Sequence, residues 1–276
     1  MRAGETVLFS DLDGTLFNSR TEVSPENRAA IERYTAAGGR FAMSTGRAPF
    51  NSLRFTGALP INAPSVVYNG AGVYDFAAGE YTFCDHLDRA VLDPLLAELT
   101  AEFPEIDIQL YTEREITSVT PEANSQPDLR RLHEPVRFTS LAALEGVGLV
   151  KTLTWVPPAE HAALEARLRA LAPGRYLLVP GTVPGAGEQV RFFELLPPGA
   201  TKGAALRRLR EHPALAGRTL VAAGDYLNDL EMLREADVPV CPANAAGEVK
   251  AVCRFVTVCN DEHAIAHIID EIIPAL

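Results

Sequence analysis

Short apolar runs that end in polar residues recur along this chain and alternate with amphipathic helical patterns. This alternation is typical of a parallel β-sheet with helices on both faces, because strands buried on both sides read as nearly continuous apolar runs. The first runs span residues 7–9, 41–43 and 65–68. Open parallel sheets carry their sites beyond the carboxyl ends of the strands. The sequence therefore predicts an α/β fold with a doubly wound, mostly parallel sheet, and a site built from the residues that end these runs.

Residues 84–189 interrupt this rhythm with long polar loops, proline-rich segment ends and a mixture of strand and helix patterns. The first pattern then resumes with apolar runs at Arg191–Leu196 and Thr219–Ala223. We interpret residues 84–189 as an inserted α+β domain. Residues 1–83 and 190–276 are then expected to form the core domain.

The most informative motif is D-L-D-G-T, which begins at Asp11 directly after the first predicted strand. Asp11 and Asp13 are separated by one residue, so both carboxylates leave an extended chain on the same side and can face one site. Two like charges so close raise one pKa unless a cation intervenes, which indicates a shared proton or a divalent metal. The alternative is a pair of solvated turn residues, because Asp-Gly is a common turn dipeptide.

Two further groups suit a phosphate. Thr45 follows the second apolar run and offers a hydroxyl beside the backbone N–H groups of Gly46 and Arg47, a geometry suited to a phosphoryl oxygen. Lys202 opens a predicted helix, where a cation is unfavourable for the helix dipole unless it serves an anion. A solvated surface lysine is the alternative interpretation of Lys202.

The sequence G-D-Y-L-N-D follows the predicted strand Thr219–Ala223. Its side chains at Asp225, Asn228 and Asp229 offer carboxylate and amide oxygens. Oxygen ligands of this kind suit Mg²⁺, which takes few protein carboxylates and keeps several waters. A helix N-cap formed by Asn228 or Asp229 is compatible with that role. The segment is therefore a candidate for one side of a magnesium site.

Taken in order, D-x-D-G-T, T-G-R, a lysine that opens a helix and G-D-x-x-N-D resemble the haloacid dehalogenase (HAD) superfamily over essentially the whole chain. The insertion resembles the C2 type B cap of its Cof-like subgroup. The resemblance implies a Rossmann-like core and Mg²⁺ as cofactor. It implies that Asp11 is the nucleophile and a metal ligand, and that Asp13 is the general acid/base with its backbone carbonyl on the metal. Asp225 would be the third metal ligand.

The residues expected to bind phosphate or substrate, or to support groups that do, are Thr45, Gly46, Lys202, Asn228, Asp229, Asn69 and Asn244. By the resemblance, Thr45 and Lys202 would hold the transferring phosphoryl group as part of the catalytic set. Asn228 and Asp229 would support the metal waters and Lys202. The two remaining asparagines match positions that lie near the site in the family.

The resemblance implies a phosphoric monoester hydrolase that acts on small phosphorylated metabolites, especially sugar phosphates, through an aspartyl phosphate on Asp11. The alternative is an enzyme like phosphomannomutase, which uses the same intermediate but returns the phosphoryl group to its substrate. Free phosphate as the product would distinguish the two. Basic side chains of the insertion could contact an anionic or sugar group, although each is more often a solvated surface charge: Arg131, His133, Arg137 and Lys151.

The formal net charge of −11 opposes binding to nucleic acid or to an anionic membrane surface. No run approaches the roughly 20 apolar residues that span a bilayer, so we expect a cytoplasmic protein. The four cysteines form no C-x-x-C pair and have no histidine at zinc-site spacing, which predicts free thiols in a reducing compartment. No sequence feature indicates an oligomeric state.

Overall fold

The computed structural model describes residues 2–57, 59–133, 135–171, 173–182 and 190–276. The chain divides into two compact units, one of Met1–Phe83 with Thr201–Leu276 and the other of Cys84–Ala200. Among the described residues, no helix is both long enough and apolar enough to cross a membrane.

Within these ranges the strands, numbered along the chain, are β1 (Thr6–Ser10), β2 (Arg40–Met43), β3 (Ser65–Val67), β4 (Gly72–Asp75), β5 (Glu80–Cys84), β6 (Asp107–Tyr111), β7 (Ile116–Ser118), β8 (Val136–Phe138), β9 (Lys151–Trp155), β10 (Leu177–Thr182), β11 (Arg191–Leu196), β12 (Thr219–Ala223), β13 (Val238–Cys241) and β14 (Phe255–Val256). The α-helices are α1 (Pro25–Ala36), α2 (Pro49–Thr56), α3 (Arg89–Glu102), α4 (Pro127–His133), α5 (His161–Ala170), α6 (Lys202–Leu209), α7 (Leu230–Glu235), α8 (Gly247–Lys250), α9 (Ala264–His267) and α10 (Ile273–Ala275).

In the described part of the first unit, a parallel sheet has the strand order β14-β13-β12-β1-β2. Strand β1, which lies between β12 and β2, is buried along its whole length. Leu8 packs on one face with residues of α1 and α9, whereas Val7 and Phe9 pack on the other face with residues of α6 and α7. Helices therefore cover both faces, and the predicted doubly wound α/β fold is confirmed.

Local sequence signals fix the starts of two helices that flank this sheet. The Ser24 hydroxyl accepts a hydrogen bond from the Asn27 N–H at 3.2 Å, with Pro25 at the first helical position of α1. The Thr201 hydroxyl accepts one from the Ala204 N–H at 3.0 Å, so α6 begins at Lys202. Side-chain caps of this kind satisfy N–H groups that have no partner within the helix.

The strand predicted at residues 65–68 does not extend the parallel sheet. β3 pairs antiparallel with β4, and beside the parallel sheet it forms a single parallel bridge, between Val66 and Ser44, the residue after β2. Tyr68 and Asn69 have φ values of 51° and 54°, and Gly70 has 105°. Three consecutive positive φ angles reverse the chain at this point, which directs it into β4.

In the second unit, the described strands form a sheet of order β10-β11-β9-β6-β7-β8, antiparallel except between β7 and β8. The strand Arg191–Leu196 was predicted to belong to the core, and that assignment is corrected. It pairs with β10 along its whole length and with β9 on its other side, and Phe193 and Leu195 lie in the apolar core of this unit. The second unit therefore continues to Ala200. The predicted boundary at residue 189 lies outside the described residues.

We expect Leu8→Ala to lower the free energy of unfolding of the first unit by about 2–5 kcal/mol, because Leu8 is fully buried and its loss leaves a cavity. Val256→Ala on the edge strand β14 is the control, since Val256 is exposed and should change stability by about 0.5 kcal/mol or less. Denaturant unfolding followed by circular dichroism measures both. Equal losses in the two variants would contradict the placement of β1 as a buried interior strand of the sheet.

Candidate active site

The carboxyl ends of neighbouring parallel strands bring the predicted site residues together. β1 lies between β12 and β2, so the segments that follow all three strands emerge at one edge of the sheet. The Asp11 N–H donates to the Ala223 carbonyl at 2.9 Å, and the Ser44 N–H donates to the Ser10 carbonyl at 2.8 Å. These bonds place Asp11 beside the ends of both neighbouring strands.

Lys202 lies between two carboxylates. Its Nζ donates to Asp11 Oδ1 and to Asp229 Oδ1, each at 2.6 Å, and its side chain is 0% exposed. Burial lowers the pKa of Lys202, but the charges of Asp11 and Asp229 outweigh it and raise the pKa above the ordinary value. The ammonium group therefore stays charged next to the predicted nucleophile.

Asp229 connects this lysine to the loop after β12. While its Oδ1 accepts from Lys202, its Oδ2 accepts from the backbone N–H groups of Asp225 and Tyr226 at 3.0 and 3.1 Å. Both oxygens of Asp229 thus hold other parts of the site. Asp229 therefore contacts both Lys202 and the loop after β12, and its role as a support for Lys202 stays a prediction.

Asp225 lies directly over the backbone of the D-x-D-G-T loop. A Cβ atom at Gly14 would be 2.4 Å from Asp225 Oδ2, and Gly14 has a φ of +78°. The Thr15 hydroxyl donates to Asp225 Oδ1 at 3.0 Å. A glycine is therefore required at position 14, both for its backbone conformation and for the approach of this carboxylate.

Three carboxylates converge here, because oxygens of Asp11, Asp225 and Asp229 all lie within 4.8 Å of one another. Burial, opposed in part by Lys202, raises the pKa of Asp11 well above its ordinary value. Burial and then the charge of Asp229 raise the pKa of Asp225 to about 6. Crowded hard oxygen donors with too little positive charge fit a divalent cation such as Mg²⁺.

Asp13 forms a contact that the sequence did not reveal. Arg47 donates to both of its oxygens, from Nε at 2.9 Å and from a terminal nitrogen at 2.7 Å. The guanidinium also lies 4.4 Å from the Phe55 ring centroid and 5.6 Å from that of Phe17. No local spacing signals a pair whose members lie 34 residues apart.

The threonine and asparagine candidates divide into two groups. Thr45 is buried, and its hydroxyl accepts from the Arg47 N–H at 3.1 Å. The Asn69 N–H donates to the Thr45 carbonyl at 3.0 Å, and Asn228 donates to the Asn69 side-chain oxygen at 3.2 Å. Asn244 instead donates to the Gly14 carbonyl at 2.8 Å. The structure therefore gives Asn244 a role in holding the loop.

Gly46 lies against the side chain of Asn69. A Cβ atom at position 46 would be 2.9 Å from Asn69 Nδ2, so a larger residue would displace this amide. The two residues follow β2 and β3, which shows how the second and third apolar runs contribute to the same region.

The basic candidates of the second unit have different environments. Lys151 was expected at the surface, but it is buried and donates to Glu194 at 2.6 Å. Arg137 is exposed and pairs with Glu115. The side chains of Arg131 and His133 lie outside the described residues. The correction for Lys151 follows from the strand pairing of β9 with β11, which sets Lys151 near a carboxylate that is distant in sequence.

Comparison with known proteins gives consistent matches along the chain. A family model described as haloacid dehalogenase-like hydrolase matches residues 8–269. The phosphatase YwpJ of Bacillus subtilis is 26% identical, with 95% of this chain and 98% of the relative covered. The 5-amino-6-(5-phospho-D-ribitylamino)uracil phosphatase YwtE of the same organism is 26% identical, with 95% and 96% covered. A crystal structure of a haloacid dehalogenase-like hydrolase from Bacteroides thetaiotaomicron has a TM-score of 0.83 at 26% identity, with 97% and 99% covered.

The raised pKa of Asp225 predicts a pH dependence of stability in metal-free protein. Its carboxyl group titrates near 3.8 when unperturbed and at about 6 in the folded chain. Its stabilising contribution is therefore present below pH about 4 and is lost as the pH rises to about 6. In EDTA, we expect Asp225→Asn to gain about 2–3 kcal/mol over the wild type across this window and then to level off.

Urea unfolding at a series of pH values measures this difference, and saturating Mg²⁺ should reduce it. Asp75→Asn is the control, because Asp75 ends β4 and its carboxylate accepts from the nearby backbone N–H groups of Ala77 and Ala78. If Asp225→Asn and the wild type gave parallel stability curves in EDTA, the crowding of carboxylates at this site would be refuted.

Proposed function

We propose that this chain, which belongs to the haloacid dehalogenase-like hydrolase family and is a phosphatase, hydrolyses small phosphate monoesters, sugar phosphates in particular. The reaction would use Mg²⁺ and form a covalent phosphoryl intermediate on Asp11. One observation carries the proposal. Lys202 is held 2.6 Å from Asp11 while the carboxylate of Asp225 converges on the same point. A carboxylate so placed, with cationic groups around it, is suited to attack phosphorus.

The side chains of Asp11 and Asp225 and the backbone carbonyl of Asp13 would hold Mg²⁺. Bound there, the ion neutralises part of the negative charge that a phosphate monoester brings to a group of carboxylates. The donors fit this ion, since they are all oxygens and Lys202 supplies only one positive charge to three carboxylates.

Thr45, Gly46 and Lys202 would hold the transferring phosphoryl group. The Thr45 hydroxyl acts as an acceptor towards the Arg47 N–H, so its own proton can be donated to a phosphoryl oxygen. The Gly46 N–H follows in the same segment, and the Lys202 ammonium already lies beside Asp11. Positioned donors of this kind supply most of the catalysis of phosphoryl transfer.

Asp13 would act as the general acid and then as the general base. As an Asp11 oxygen bonds to phosphorus, the bond to the leaving oxygen breaks and the leaving alcohol takes a proton from Asp13. Water then attacks phosphorus and gives a proton back to Asp13, which releases phosphate and restores the Asp11 carboxylate. Because Arg47 engages both Asp13 oxygens, this role requires their ion pair to open.

The substrate class rests on the resemblance and on one relative. YwtE is named for a phosphorylated ribityl compound, which is a sugar-alcohol phosphate. We assign the choice of leaving group to the second unit, Cys84–Ala200. A phosphomutase would use the same core residues, so the assay must measure free phosphate rather than only loss of substrate.

We expect Asp11→Asn to lower phosphate release at least about a thousandfold, because an amide of equal size cannot form the acyl phosphate. Asp270→Asn is a matched control, since Asp270 is an exposed residue of the first unit that pairs with Arg33. Phosphate release from a panel of sugar phosphates measures both variants, with circular dichroism as the test of folding. A folded Asp11→Asn protein that keeps a tenth of the wild-type rate would exclude the covalent mechanism.

EDTA should abolish phosphate release and Mg²⁺ should restore it. Asp225→Ala should raise the Mg²⁺ concentration for half-maximal activity at least about tenfold, because it removes a direct ligand. Asp75→Ala serves as the control and should leave the Mg²⁺ requirement unchanged. Undiminished hydrolysis after exhaustive EDTA treatment would show that the reaction does not depend on a metal.

A further inference from the structure

Three side chains with metal-binding atoms meet in the second unit: Cys84, His86 and Glu113. A sulfur, an imidazole nitrogen and a carboxylate oxygen from these residues all lie within 4.8 Å of one another. Cys84 ends β5, His86 follows in the next segment, and Glu113 lies in the turn between β6 and β7. The mechanism proposed above uses none of these residues.

The polypeptide backbone holds these side chains in place. The Leu87 N–H donates to the Leu149 carbonyl at 2.7 Å, which fixes the segment that carries His86. The His86 imidazole lies against Gly148, where a Cβ atom would be 2.6 Å from His86 Cδ2 and 2.7 Å from Nε2. A side chain at position 148 would therefore displace the imidazole. His86 Nε2 is 2.9 Å from Glu113 Oε1, and both side chains are partly exposed.

The donor set selects a class of metal. Sulfur and imidazole nitrogen are poor ligands for Mg²⁺ but suit Zn²⁺ and similar transition metals, which also accept carboxylate oxygen. Burial, followed by the charges of Glu113 and Asp85, raises the pKa of the Cys84 thiol to about 12. The thiol thus lies among negative charges, which favour a nearby dication.

We propose that Cys84, His86 and Glu113 bind one divalent transition-metal cation of the zinc class. The ligands are a thiolate, a neutral imidazole and a carboxylate, and the thiol proton is released to solvent when the ion binds. Zinc bonds of about 2.0–2.3 Å place tetrahedral ligands about 3.3–3.8 Å apart. The donor atoms already lie within 4.8 Å of one another, and the partly exposed His86 and Glu113 can reach that spacing by side-chain rotation. Solvent can occupy the fourth position.

Metal binding at this site connects the end of β5 to the β6–β7 turn within the second unit. Two ligands lie close together in sequence, whereas the third lies 27 residues after His86. Sequence patterns for zinc sites, which rely on short fixed spacings between ligands, therefore do not detect this cluster. The fold nevertheless brings Glu113 close to the other two ligands. A bound ion should stabilise the second unit by mass action, because the separated ligands of an unfolded chain bind it less tightly.

Cobalt(II) is a suitable probe, since a cobalt–thiolate bond gives a charge-transfer absorption that carboxylate ligands alone do not give. The protein is titrated with Co²⁺ in saturating Mg²⁺, so that Mg²⁺ competes for the proposed site at Asp11 and Asp225. We expect the absorption to saturate at about one Co²⁺ per chain. Cys84→Ser should abolish it, and His86→Ala and Glu113→Gln should each weaken Co²⁺ binding at least about tenfold.

Cys259→Ser is the matched control, because Cys259 is also a partly exposed free cysteine but lies in the first unit. It should keep the absorption and the affinity of the wild type. Circular dichroism and phosphate release in Mg²⁺ verify that each variant is folded, and His86→Ala carries the test if Cys84→Ser does not fold. The proposal is overturned if the wild type gives no thiolate absorption, if Cys84→Ser keeps it, or if His86→Ala and Glu113→Gln bind Co²⁺ as tightly as the wild type.

Discussion

The ammonium group of Lys202 makes the candidate active site physically possible. It is buried between Asp11 and Asp229, 2.6 Å from an oxygen of each. A buried charge costs several kcal/mol unless it is paired, and three carboxylates gathered without a cation would repel one another strongly. One lysine cannot balance the charges of Asp11, Asp225 and Asp229. The excess negative charge that remains makes the site suited to a divalent cation. The same excess charge links the stability of this region to its proposed chemistry.

The parallel sheet fixes the positions of these charged side chains relative to one another. β1 pairs with β12 in parallel register from Thr6 to Ser10, so the loops after the two strands begin side by side. Gly14 then lets the Asp225 carboxylate approach the first loop more closely than any Cβ atom would permit. The apolar cores on both faces of the sheet supply the rigidity on which this geometry depends. The site residues, whose relative positions matter most for the proposed chemistry, therefore follow directly after deeply buried strands.

Much of this site could be predicted from the sequence, because short motifs of neighbouring residues specify where its side chains lie. A strand followed by D-x-D-G-T fixes Asp11, and the cap formed by Thr201 fixes Lys202 at a helix start. Non-local pairing was not predictable in the same way. β11 was recognised as a strand, but its antiparallel register with β10, which places it in the second unit, depends on a partner that its own pattern does not specify. The Arg47–Asp13 ion pair was missed for the same reason.

The central claim is that Asp11 becomes covalently phosphorylated. The most direct measurement is acid quenching of the Mg²⁺-loaded protein with a sugar phosphate within the first turnover, followed by proteolysis and peptide mass spectrometry. We expect a phosphoryl adduct on the peptide that contains Asp11, which rises before steady-state phosphate release and is absent in Asp11→Asn. Phosphate release at the full rate with an adduct on another residue, or with no adduct at any early time, would contradict it.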